Sequence, residues 1–262
     1  MLLVKPVPAF ADNYIWLIIN PDRRRAAVVD PGDAAPVRAA LERERLIPAA
    51  ILVTHHHGDH VGGVLELVAD HPVPVYGPAA EHIPGRTHAV RERDIVELQE
   101  LEARFSVLEV PGHTAGHIAY YGQGMAFVGD TLFMSGCGRL FEGTAAQMHA
   151  SLGKLAALPP DTRIYCAHEY TVANLRFAAT VEPDNADIAD RLAASIALRA
   201  RDEPTVPASL ETEKRTNPFL RVNEVAVKDA ASRHAGHPLK HATEVFGVVR
   251  SWKDTFSPAP RK

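Results

Sequence analysis

Cysteine is nearly absent from this 262-residue chain: only Cys137 and Cys166 occur. Two thiols cannot build the disulfide framework of a small secreted scaffold, so a reducing, cytoplasmic setting is expected. Long apolar runs are also lacking. The longest, Tyr14 to Ile19, falls far below the ~20 residues of a membrane-crossing helix, so no membrane association is expected. The N-terminus has no basic start ahead of an apolar stretch, and Pro6 and Pro8 interrupt what apolar character it has; no secretory signal is read there. No basic run accompanies the net charge of −4, which argues against a nucleic-acid partner. The low hydrophobicity and high net charge of a disordered chain are missing too.

What remains is an ordinary globular composition, 46% hydrophobic and 23% charged, long enough for one or two domains with a full core. Charge is uneven, with a net of −6 up to Tyr170 and +2 beyond it. Histidine is the unusual component, with 14 residues.

The pattern of elements changes near residue 170. NYIWLII, NPDRR and AAVVDPG read as a β-hairpin. Asp33 to Arg45 has helical spacing, AAILVT is a short buried strand, and a helix is predicted over about Val61 to Ala69. VPVYG, DIVEL, RFSVLEV, HIAYYG, MAFVGD and RIYCAH are further strands, and a helix capped by Thr144 precedes the last of them. After Tyr170 three segments have helical period, no strong strand is visible, and Glu203 to Leu220 reads as a long loop. These features predict a mixed α and β domain over residues 1–170 and an all-helical one over 171–262.

The chemistry is concentrated in THHHGDH, Thr54 to His60, at the end of AAILVT. Alternation in an extended segment puts His55 and His57 on one side, and Gly58 permits a turn that frees Asp59 and His60 for a second ion. Imidazole and carboxylate suit zinc and similar first-row ions. His113 in PGHTAGH, Asp130 in FVGDT and His168 in YCAHEY each follow a strand and can join the same rim. His56 turns to the other side, as an outer partner of the ligands or a structural residue. His117 either supports the site or packs structurally. Asp30 in VVDPG is a candidate to orient a ligand imidazole. The remaining histidines, at 71, 82, 88, 149, 234, 237 and 241, are expected at the surface.

THHHGDH, PGHTAGH, FVGDT and the later His168 resemble the metallo-β-lactamase superfamily. The resemblance implies an α+β fold, an αββα sandwich with a metal site at one rim, followed here by the C-terminal helical domain. TLFMSGCGRLFEGT, YCAHEYT, NPFLR and RSWKD further resemble the glyoxalase II, or hydroxyacylglutathione hydrolase, family over nearly the whole chain. That resemblance implies one ion on His55, His57 and His113, a second on Asp59, His60 and His168, and Asp130 bridging both. Zinc is the expected metal, with iron or manganese as other options. It also implies that Arg139, Phe141, Tyr170, Arg250 and Lys253 hold the glutathione moiety of a thioester substrate. The family often has Lys at the position of Arg139 and Tyr at that of Phe141; the first change alters cation geometry and the second removes a hydroxyl.

The expected reaction is attack on a thioester carbonyl by a hydroxide bridging the metals, with Asp59 and Asp130 as catalytic residues. S-D-lactoylglutathione would give D-lactate and glutathione. The leaving thiolate, with a parent pKa of about 8.5, departs without a general acid. Cys137 and Cys166 are expected to be small buried residues rather than nucleophiles. Near the C-terminus, Val245, Val248, Val249, Trp252 and Phe256 form a core-facing stripe beside a second stripe of Phe246, Arg250 and Lys253. The two cations read as a solvated face or, through the RSWKD match, as a carboxylate clamp. A monomer is expected. The rival readings are a lactonase or β-lactamase on the same fold, a mononuclear-iron persulfide dioxygenase, and a metal-dependent nucleic-acid module.

Overall fold

The computed structural model describes residues 2–257; the expected domain limits at Met1 and Lys262 lie outside them. In chain order the first half contributes β1 (Leu3–Ala9), β2 (Asn13–Asn20), β3 (Arg25–Val29), α1 (Ala34–Glu44), β4 (Ile47–Leu52), α2 (Gly58–Val61), α3 (Val64–Asp70), β5 (Val75–Pro78) and β6 (His88–Val90). Then come β7 (Ile95–Leu98), β8 (Ala103–Glu109), β9 (Ile118–Gly122), β10 (Met125–Gly129), β11 (Leu132–Phe133), β12 (Gly136–Cys137), α4 (Ala145–Ala156) and β13 (Arg163–Cys166). The remainder is α5 (Thr171–Val181), α6 (Ala186–Arg199), β14 (Ala208–Ser209), α7 (Leu210–Thr216), α8 (Val225–Ala235) and α9 (Ala242–Thr255).

Two six-stranded sheets form, in the orders β1-β2-β3-β4-β5-β6 and β14-β13-β10-β9-β8-β7. The alternation of strand side chains explains their stacking. On β2, Tyr14, Trp16 and Ile18 join the core shared with Phe105, Tyr120 and Phe127 of the second sheet. Ile15, Leu17 and Ile19 point the other way, onto Val37, Ala40 and Leu41 of α1 and Val64 and Leu67 of α3. A strand covered on both faces therefore reads as an unbroken apolar run. Each large side chain removed from water contributes roughly 1.5–3 kcal/mol. Met148, Leu152 and Leu155 of α4 belong to the inter-sheet core cluster, so helices, two sheets and helices succeed one another.

The hairpin, the seven other predicted strands and the helices that begin after Asp33 and Thr144 all form. Two expectations are corrected, and one segment to which the sequence reading assigned no element proves to be a strand. That segment is the proline-broken N-terminus, where β1 pairs with β2 in the register Pro6↔Trp16 and Pro8↔Tyr14. As an edge strand it tolerates prolines two residues apart, because both missing N–H groups fall on the unpaired side. Gly58 does not make a turn but begins the four-residue α2, which carries Asp59 and His60, and the next helix starts only at Val64. The predicted loop 203–220 holds β14 and α7, with the Ser209 hydroxyl accepting from Thr212 N at 3.2 Å as the cap of α7. β14 extends the second sheet beside β13, so among the described residues the regular structure of the last third is helical except for this one short strand.

That last third is packed into the sandwich core: Phe219, Val227, Val245, Phe246 and Val249 share its apolar cluster. It also grips the β11–β12 hairpin through buried polar groups. Ser135, at φ 53°, donates its N–H to Glu213 Oε2 at 2.7 Å, and Arg191 pairs with Glu213 at 2.5 Å. Asn217 Nδ2 reaches the Phe133 and Gly136 carbonyls at 3.2 and 2.9 Å.

Candidate metal centre

All seven donor residues expected from the sequence converge. They form three sets whose donor atoms lie within 4.8 Å of one another: His55, His57 and His113; His55, His60 and Asp130; Asp59, His60 and His168. The loop after β4 begins rigidly, with Thr54 N and Oγ1 each donating to Asp30 at 2.7 Å. His55 Nε2 then lies 3.1 Å from His57 Nδ1, which is 3.0 Å from His113 Nε2. Asp130 sits between the groups: its Oδ1 is 3.4 Å from His60 Nε2, and its Oδ2 is 3.4 Å from both His113 Nε2 and His168 Nε2. Gly129 precedes it at φ 46°, and a Cβ there would stand 2.3 Å from Thr54 Oγ1 and 2.8 Å from His117 Nε2. Only glycine lets Asp130 approach so closely.

These spacings fit metal ligation. Both nitrogens of His60 and Oδ1 of Asp130 are buried without an aligned hydrogen-bond partner, a costly arrangement for a protein that binds nothing there. Zinc–nitrogen distances of about 2.0–2.1 Å in tetrahedral geometry put co-ligands about 3.3 Å apart.

Outer partners fix each ring. Asp12 Oδ1 accepts from His168 Nδ1 at 2.8 Å, and the Arg139 carbonyl accepts from His113 Nδ1 at 2.9 Å. A carbonyl can only accept, so Nε2 of His113 is left as a lone-pair donor toward the cluster. Asp30 Oδ2 lies 3.1 Å behind His60 Nδ1, in the orienting place expected of it. Asn13 Nδ2 donates to Asp59 Oδ2 at 3.0 Å. His117 takes the supporting alternative: its fully buried ring stacks on His55 at 4.5 Å. Asp12 and Asn13 escaped the sequence reading because their turn gains meaning only once β1 is a strand.

The electrostatics favour positive charge at the centre. Hydrogen bonding from His168 holds Asp59 well below the usual carboxylate range. Burial opposes charge on Asp130, yet His60, His168 and His113 hold it low as well. Burial, reinforced by neighbouring imidazoles, depresses His55, His57 and His117; it also depresses His113, against the pull of Asp130. Burial works the same way on His60 and His168, but carboxylates overcome it. Asp130, Asp30 and Asp59 raise His60, and Asp130, Asp59 and Asp12 push His168 up to about 11. His55, His57 and His113 are thus held neutral beside ionised carboxylates, the state that binds metal, whereas the protons favoured on His60 and His168 stand where a cation would replace them.

The five residues expected to hold substrate fall into two places. Phe141 is 63% exposed, with its ring 5.6 Å from His57 and 5.2 Å from His113, while Tyr170 stacks on His168 at 4.8 Å. Arg139 and Arg250 meet at Asp254 Oδ1, at 3.7 and 3.0 Å. The solvated-face alternative is wrong for Arg250: it is buried, donates to the Cys137 carbonyl at 2.7 Å and lies over Phe219. Lys253 Nζ sits 5.5 Å from the Phe177 ring. Burial, with Arg250 and Arg139 nearby, lowers its pKa to about 8. Cys137 and Cys166 are buried, and burial pushes the Cys166 thiol up to about 12, which is inert rather than nucleophilic. Six of the seven surface histidines are exposed; His149 is half-buried against Phe246 and Thr243.

Comparison with known proteins adds family to geometry. Residues 10–168 match the metallo-beta-lactamase superfamily, and residues 169–256 match the family described as hydroxyacylglutathione hydrolase C-terminus. The chain is 58% identical over 254 residues to the hydroxyacylglutathione hydrolase of Alkalilimnicola ehrlichii, covering 97% of this chain and 99% of that one. With its counterpart in Nitrosomonas eutropha the identity is 52% over 257 residues, covering 98% and 100%. The crystal structure of TTHA1623 in a di-iron-bound form superposes with a TM-score of 0.58 at 29% identity, covering 82% of this chain and all of that one.

Proposed function

Because the chain belongs to the hydroxyacylglutathione hydrolase family of the metallo-β-lactamase superfamily, we propose that it hydrolyses S-(2-hydroxyacyl)glutathione thioesters at a centre of two divalent ions. S-D-lactoylglutathione is the proposed substrate, with D-lactate and glutathione as products. The observation that carries this reading is Asp130, whose two oxygens face histidines of both donor groups. His55, His57 and His113 would hold one ion, Asp59, His60 and His168 the other, and Asp130 both. Zinc suits the donors; iron and manganese do as well, and TTHA1623 carries two irons. When bound, such ions lower the pKa of a water molecule toward neutrality and draw charge from a carbonyl oxygen.

The protein's own groups supply the rest. Asp59, ionised and anchored by Asn13, orients the attacking water by accepting its hydrogen bond. Phe141 and Tyr170 flank the acyl group from opposite sides of the histidine cluster. Arg139, Arg250 and Lys253 offer cations to the glutathione carboxylates by charge-assisted hydrogen bonds. Residues 1–170 thus carry the chemistry, and 171–262 complete substrate recognition with Arg250 and Lys253 beside Arg139, Phe141 and Tyr170 of the first part. The test is thiol and D-lactate release from S-D-lactoylglutathione by zinc-loaded protein. Activity should vanish on chelation and return with Zn²⁺. A folded protein holding two ions that releases no thiol overturns the proposal.

A further inference from the structure

His56 stands between two metal donors in the sequence yet faces away from them. Its Nδ1 lies 2.9 Å from Glu81 Oε2, and its Nε2 lies 3.3 Å from Glu142 Oε1. Both carboxylates commit their other oxygen to one short turn. Glu81 Oε1 accepts from Thr114 Oγ1 and from Gly116 N, the latter at 3.0 Å, and Glu142 Oε2 accepts from Ala115 N at 2.8 Å. That turn begins at His113. Gly116 lets Glu81 come this close: a Cβ there would stand 2.6 Å from Glu81 Cγ and 3.0 Å from Ala80 Cβ. The Glu81 side chain is only 4% exposed, and Glu142 adjoins Phe141, whose ring touches His57 and His113. Two loops, one bearing His55 and His57 and the other bearing His113, are thereby tied together with an imidazole between two carboxylates.

We propose that Glu81, His56 and Glu142 form a brace that sets the separation of His57 from His113, so that they are positioning residues for one ion and not for the other. This rests on the two-ion reading above. The trio could itself gather a metal, since its donor atoms lie within 4.8 Å of one another. The geometry points elsewhere. The ring nitrogens face different carboxylates, the outer carboxylate oxygens are already engaged by the turn, and the one buried oxygen without an aligned hydrogen bond, Glu81 Oε2, is the one His56 Nδ1 covers. The second donor group, Asp59, His60 and His168, has its own partners in Asn13, Asp30 and Asp12, none of which touches the brace.

Titration of metal-free protein with Co²⁺, followed by visible absorption and by bound-metal analysis, tests this. The wild type takes up two ions per chain, and a position of three histidines with Asp130 differs in spectrum from one of two histidines with Asp59 and Asp130. Glu142→Gln and His56→Ala should weaken the three-histidine position about 10–100-fold, the usual cost of losing an outer partner of a metal ligand. They should leave the other position within threefold, and Glu142→Asp should recover most of the loss. Asp12→Asn, behind His168, should show the reverse pattern. Thermal unfolding of the metal-free variants separates these effects from loss of fold. Equal weakening at both positions, or none, overturns the brace, as does a third bound equivalent that Glu142→Gln removes. A wild type that takes up fewer than two ions overturns the two-ion reading and the brace with it.

Discussion

The sandwich rim and the helical end of the molecule treat charge in opposite ways. At the rim, ionised carboxylates stand among imidazoles that are kept neutral or protonated by burial and neighbours, and several donor atoms have no partner of their own. The rim is electrostatically incomplete and calls for cations. Where the helical end meets the segment after β12 the cations are already answered. Arg139 and Arg250 share Asp254, Arg250 also satisfies a backbone carbonyl, and Lys253 is pushed toward neutrality. The first arrangement suits ions that stay; the second suits an anion that must arrive and leave.

The comparison breaks hardest at Asp130. Asp130→Ala removes the one carboxylate facing both donor groups, and kcat/KM should fall by about 10³ or more, the several kcal/mol that metal-assisted charge stabilisation supplies. Bound-metal analysis should show the loss of at least one ion. A fully active variant would mean the rim is not the reaction centre. At the helical end the effect should be smaller and should fall on binding. Arg250→Met should raise KM roughly 10- to 100-fold with kcat within a few-fold, since a cation remote from the reacting carbonyl contributes to ground state and transition state alike. A fall in kcat without a change in KM would deny it a binding role. The mildest effect is a pH dependence. Lys253 is cationic below its pKa of about 8 and loses its charge as pH rises through that value. KM should therefore rise a few-fold between pH 7 and 9, and Lys253→Arg, which stays charged throughout that range, should flatten the rise.

The two regions also differed in how far the sequence revealed them. The seven donors were legible because each follows a buried strand within a compact motif, and strand ends on one edge converge. The sandwich was legible from apolar runs and turn residues. Strands of two or three residues, β6, β11, β12 and β14, are too short to carry a period. Proline masked β1, where only the edge position makes it admissible. Partners scattered along the chain left no local pattern: Asp12 supports a histidine 156 residues away, and Glu81 reaches Thr114 across 33. The helical pattern alone left Arg250 on a solvated face, because a cation on a helix normally is; its burial depends on the Cys137 carbonyl 113 residues earlier.

The placement of β14 limits how freely the two parts of this chain can be exchanged. The strand is only two residues long, yet it caps the open side of β13, whose far end leads directly to His168. A fragment ending near residue 170 would leave that backbone uncovered, inviting it to pair with another copy. The sandwich and the helices after it share one core, and grafting a different helical unit onto the sandwich would require a replacement for that short strand.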